Sequence, residues 1–95
     1  MSTIQQPPPA TQKKLYRLPV ILLPEEEGGF SVFAVTLGGA CSQGETEAEA
    51  LANIVEAITG LLESYQDHGQ PVPWEPSIPE QHEPHALGRW VEVYA

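Results

Sequence analysis

Ninety-five residues carry 13 aspartates and glutamates against four lysines and arginines, for a formal net charge of −9. A chain of this size makes one small domain that buries roughly 60% of its unfolded surface, and its sparse basic charge disfavours nucleic acid as a partner. The single cysteine, Cys41, excludes an internal disulfide framework, and the longest apolar run, LPVILLP, is far short of the roughly 20 residues of a membrane helix.

The charge is unevenly placed. Lys13, Lys14 and Arg17 lie toward one end and Arg89 toward the other, and residues 18–88 hold twelve carboxylates with no lysine or arginine. Ion pairs within the domain are therefore expected to be scarce. The negative surface either serves solubility or awaits a basic partner.

Residues 1–14, MSTIQQPPPATQKK, have no apolar stripe and no secretory h-region, which predicts a flexible lead and a cytoplasmic protein. LYRLPVILL (15–23) is rich in strand formers, with Pro19 expected at an edge or at a position that makes no ladder bond. PEEEGG (24–29) breaks the pattern, and FSVFAV (30–35) follows as the second strand of a hairpin. TLGG turns the chain into a short third strand, ACSQ (40–43). No Gly-Lys-Ser/Thr and no G-x-G-x-x-G accompanies the glycines, so they are turn chemistry and imply no cofactor.

A helix is written into the next segment. Thr46 is a good N-cap and Glu49 completes a T-x-x-E capping box. Leu51, Ile54, Val55, Ile58, Leu61, Leu62 and Tyr65 form one apolar face, and Gly69 with Pro71 stops the helix. Gly60 inside it suggests close packing. On the opposite face Glu49, Asn53, Glu56, Gly60, Glu63 and Asp67 make an acidic stripe, with no basic residue four places away to relieve Glu63 and Asp67.

Residues 70–88 hold five prolines and predict an irregular connector, in which Trp74 covers the end of the core. HEPH (82–85) offers two imidazoles, but Pro84 prevents a helical arrangement and no cysteine joins them, so no metal site is expected. RWVEVYA (89–95) alternates as a final strand. The order is β-β-β-α-β, an α+β domain with one helix on one face of a mainly antiparallel sheet. Cys41 and Ser42 have no base to activate them, Cys41 is expected to be buried, and the strands at 15–23, 30–35 and 40–43 lack the carboxylates of a two-metal nuclease; no enzyme is expected. The small core, the open sheet edges and the apolar residues on both faces of FSVFAV predict a dimer or tetramer.

These residues resemble the N-terminal domain of the HicB antitoxin family. The likeness rests on Gly28, Gly29 and Phe30 after Glu27, on Leu37 and Gly39, and on the block Ser42, Gly44, Thr46, Glu49, Ala50 and Asn53, continued by Glu56 and Ala57. Gly38, Ala40 and Cys41 depart from it, standing where the family has proline, cysteine and a variable residue. The resemblance implies a partial RNase H-like fold without catalytic acids, with residues 15–95 as a single HicB-like domain; full antitoxins of the family add a C-terminal DNA-binding domain, and the expectation here departs from them in being a stand-alone domain. It further implies a type II antitoxin that neutralises a basic HicA-type, mRNA-cleaving toxin by covering its active surface, with Glu49, Glu56, Glu63 and Trp74 as candidate partner-binding residues. The alternative is an orphan HicB-like oligomer that serves as a scaffold or adaptor. Neither reading requires membrane attachment or DNA binding by this chain alone.

Overall fold

The computed structural model describes residues 13–76 and 85–95. The strand formers produce β1 (Leu15–Pro24), β2 (Phe30–Ala34), β3 (Cys41–Gly44) and β4 (Leu87–Tyr94), with one helix, α1 (Glu47–Asp67), between β3 and β4. All three ladders are antiparallel and the strand order is β3-β2-β1-β4. The α+β, β-β-β-α-β architecture expected from the sequence is the one observed. β4 starts at Leu87, because Leu87 already pairs with Leu22 and Gly88 with Ile21. The HEPH segment lies mostly outside the described residues, and no cluster of metal-ligating side chains occurs among those described. Among them, no helix is long and apolar enough to cross a membrane.

Alternation along the strands sends Leu18, Val20 and Leu22 of β1 to the same face as Val32, Ala34, Val91 and Val93. There they meet Ala50, Ile54, Ile58 and Leu62 of α1, which recur every four residues and are fully buried. The buried line thus runs through Ala50, a position the expected apolar face omitted, while Leu51, Val55 and Leu61 flank it half-buried. Leu37 is also fully buried, so the TLGG turn returns one side chain to the core.

Pro19 lies in an internal strand, flanked by β2 and β4, not at an edge. It is tolerated because its missing N–H would point toward β2 just beyond the Val20–Ala34 end of that register. Its carbonyl still accepts from Val35 N–H at 3.0 Å. Toward β4 it faces Trp90 in a pair that exchanges no ladder bonds, as the neighbouring bonded pairs require. Cys41 is exposed, not buried: its register partner Phe33 points to the face away from α1, and so does Cys41.

Gly69 ends the helix with φ +65°, the left-handed conformation that glycine adopts without steric cost. Gly60 is exposed and a Cβ there would meet nothing within 4 Å, so the close packing suggested by its presence is absent. Gly60→Ala should therefore stabilise the domain by about 0.5–1 kcal/mol, through helix propensity and a less flexible unfolded chain. A urea midpoint that fell would contradict this.

Candidate protein-binding surface

Most of the block from Ser42 to Asn53 builds a joint between β3 and α1. Thr46 Oγ1 accepts from Glu49 N–H at 3.1 Å and caps the helix. Glu49 Oε1 accepts from Glu45 N–H at 2.5 Å, one residue before the cap rather than at the cap itself, and so still satisfies a donor at the helix entrance. Asn53 Nδ2 donates to Gln43 O at 2.8 Å and ties the second turn to the edge strand. Gly44 is the close approach: a Cβ there would lie 2.4 Å from Ala50 N. Gly29, at φ +81°, passes the same point, and a Cβ on it would sit 2.9 Å from Gly44 O. Between hairpin and helix start lies a shallow hollow of about 530 Å³, lined by Glu25, Phe30, Gln43, Glu45, Glu49 and Asn53 among others.

The carboxylates are less isolated than their sequence spacing suggests. Arg89 Nε donates to Glu47 Oε2 at 2.5 Å and Nη2 to Oε1 at 3.3 Å, linking β4 to the first turn of α1. The hydrogen bond and the charge of Glu47 raise the Arg89 pKa above its ordinary value. Lys13 lies 3.8 Å from Glu63, and Arg17 3.8 Å from Glu92. The expectation of scarce ion pairs is corrected here: three of the four basic residues are paired, Lys13 and Arg89 with carboxylates of α1, and Arg17 with Glu92 because β1 and β4 are neighbours. These exposed pairs contribute little to stability individually.

Glu49, Glu56, Glu63 and Asp67 are exposed along one side of α1, the first and third about 21 Å apart at the ordinary rise. Glu49 is engaged at the helix entrance and Glu63 has Lys13 nearby. Glu56 makes no ion pair among the described residues. Trp74 stands off this stripe. Its ring packs 5.9 Å from that of Tyr16, and the backbone is pinned by Glu75 N–H donating to Thr36 O at 2.9 Å. Trp74 is half-exposed and lines a groove of about 440 Å³ with Arg17, Pro19, Thr36 and Trp90. The four candidate contact residues thus do not form one patch: three follow the helix and the fourth borders the sheet.

The sequence showed apolar residues on both faces of FSVFAV but not the part of the outer sheet face built by β1 and β4. Leu15, Pro19, Ile21, Leu23, Phe33, Trp90 and Tyr94 all point away from α1. Trp90 and Tyr94 are 64% and 60% exposed. The signal was available in RWVEVY: if Val91 and Val93 face the core, the two aromatics must face the other way.

No protein-family model matches the sequence. A curated relative, the UPF0150 protein ssr1765 of Synechocystis sp., is 44% identical over 68 residues, which span 72% of this chain and 86% of that protein. The chain belongs to the UPF0150 family. Among solved structures, this UPF0150 chain is similar to the N-terminal domain of the Burkholderia pseudomallei antitoxin HicB, with a TM-score of 0.69 and 23% identity over 80% of this chain and 95% of that one. It is also similar to a chain of a HicA3 and HicB3 toxin-antitoxin complex, with a TM-score of 0.61, 22% identity, and coverage of 82% and 98%. The UPF0150 chain is HicB-like in its fold, as the resemblance implied.

Proposed function

We propose that this protein is an antitoxin that binds a basic HicA-type toxin and blocks it by covering its active surface, without catalysis of its own. The observation that supports this most is the exposed acidic side of α1 on a domain with the fold of an antitoxin HicB domain. A toxin that handles RNA needs positive charge to hold phosphate. An acidic cover is attracted to the same surface, and charge complementarity of this kind acts mainly on the encounter rate. The protein acts in the cytoplasm, where such a toxin meets mRNA. It self-associates, and it does not bind DNA alone, since net charge −9 repels a duplex.

Glu56 is the clean test position, exposed and free of the helix cap. Glu49 is not, because its carboxylate holds Glu45 N–H. Glu63→Lys would set a second cation beside Lys13, so Glu63→Gln is the better companion. Glu56→Lys with Glu63→Gln should slow association with a neighbouring gene's HicA-type product roughly tenfold at low salt, and much less at high salt. An unchanged on-rate at both salts, with the helix intact by circular dichroism, would remove the helix face from the interface. No binding at all to any such product would favour the orphan scaffold. A discrete shift of duplex DNA at about 50 mM salt would overturn the statement on DNA.

A further inference from the structure

We propose that the sheet face turned away from α1 is where two copies of this chain pair, sheet against sheet. This names the surface for the self-association stated above and does not depend on a toxin. A helix covers one face of the sheet; on the other, Ile21 is buried and Trp74 and Glu75 border a groove beside Pro19, but Leu15, Trp90 and Tyr94 remain exposed. Its most exposed members are neighbours: Leu15 pairs with Tyr94, and Pro19 with Trp90, across β1 and β4. Phe33, Val35 and Leu23 continue the apolar surface half-buried.

Charge selects a second copy as the occupant. The chain carries a net −9, yet the ionised side chains that the strands themselves place on this face are Arg17 and Glu92, one of each sign, with Glu25, held by Ser31, and Glu75 at its borders. Two copies meeting here repel less than two acidic helix faces would. A twofold axis requires a patch complementary to itself. Arg17 beside Glu92 supplies that, since the arginine of one copy can oppose the glutamate of the other in both directions. Arg17 also lies over the Trp90 ring, 5.5 Å from its centroid, so the cation and the aromatic form one unit.

The area is near the lower limit for a specific interface. Four strands at about 4.8 Å spacing, with β1 reaching about 33 Å and β4 about 26 Å, offer roughly 400–500 Å² of flat face per copy before side-chain relief is counted. Two such faces approach the total of about 1,000 Å² that a specific interface needs. Aromatic side chains at the centre of an interface carry much of its binding energy.

Light scattering or sedimentation on the full chain should give twice 10.4 kDa or a multiple of that at high micromolar concentration. Trp90→Glu places a charge within the exposed apolar patch, on the edge strand β4, and should weaken self-association by about 100-fold or more. Because Trp90 is well exposed in one copy, circular dichroism should show the fold retained. Arg17→Glu alone should weaken pairing, and adding Glu92→Arg should restore it. In the unmodified protein, Trp90 and Tyr94 should become protected from hydroxyl-radical oxidation as concentration rises. This second measurement decides the matter if Trp90→Glu fails to fold. A monomeric wild type would overturn both the self-association and its surface. An unchanged mass for folded Trp90→Glu, or no added protection of Trp90 and Tyr94, would overturn the surface alone.

Discussion

Gly44→Ala should cost the domain at least about 3 kcal/mol, and lower its thermal midpoint by roughly 12 °C or more. The methyl group would lie 2.4 Å from Ala50 N, 2.8 Å from Ala50 Cα and 2.8 Å from Glu49 C, and all three are backbone atoms. No side chain can rotate away to relieve that contact. Relief would require the first turn of α1 to lift from β3. Lifting would expose Ala50, now fully buried, and stretch the Asn53 bond to Gln43 O. A small domain near the low end of the usual 5–15 kcal/mol has little reserve against such a change. Thermal unfolding of the purified variant measures it, and a fall of less than about 4 °C would show that the joint yields more easily than its geometry indicates.

Leu37→Ala should be almost as damaging, costing about 2–4 kcal/mol. By sequence Leu37 belongs to a turn, where an apolar residue is ordinarily worth little. In the fold it is fully buried beside Ala34 and Ala40, whose small side chains leave the space that it fills. Truncation would open a cavity that the short β2–β3 connection cannot collapse into, since Ala34 N–H is held by Ala40 O at 2.9 Å. Leu37→Met conserves the volume and should cost less than about 1.5 kcal/mol. Urea denaturation of both variants tests the pair. Equal midpoints for Leu37→Ala and the wild type would exclude a core role.

The elements were legible in the residues because each has a local cause. Thr46 and Gly69 bound the helix by cap chemistry, and Glu25–Gly29 forms the hairpin with two glycines at positive φ, where side chains are unfavourable. What the residues did not show is who neighbours whom. Alternation sorts a strand's side chains into two sets but does not say which strand is central, so an edge and an unbonded position stayed equally open for Pro19, which takes the second, and Cys41 was expected inside. Arg89 and Glu47, 42 positions apart, give no local sign that they will meet. The motif residues show the same limit. Gly44 and Asn53 could be recognised as a pattern, but only the approach of β3 to α1 explains them as a joint. The aromatic outer face was legible in the alternation of RWVEVY, but that Leu15 and Pro19 lie beside Tyr94 and Trp90 requires the register of β4.

The position of β4 has a consequence for how the protein is made. β1 is the second strand from the edge, and its ladder with β4 joins residues 65 to 79 positions apart in the chain, from Leu22 with Leu87 to Leu15 with Tyr94. A ribosome that has produced β1, β2, β3 and the whole of α1 has therefore made a chain whose longest strand lacks one of its two neighbours. Closing so distant a contact is slow, because the entropy of the intervening loop must be overcome before the ladder rewards it. During that interval β1 presents an open edge of ten residues, the kind that captures strands from other chains. Synthesis order thus makes this small domain depend on late completion. Pro19 gives no protection there, because its missing N–H points toward β2 and away from the edge that waits for β4.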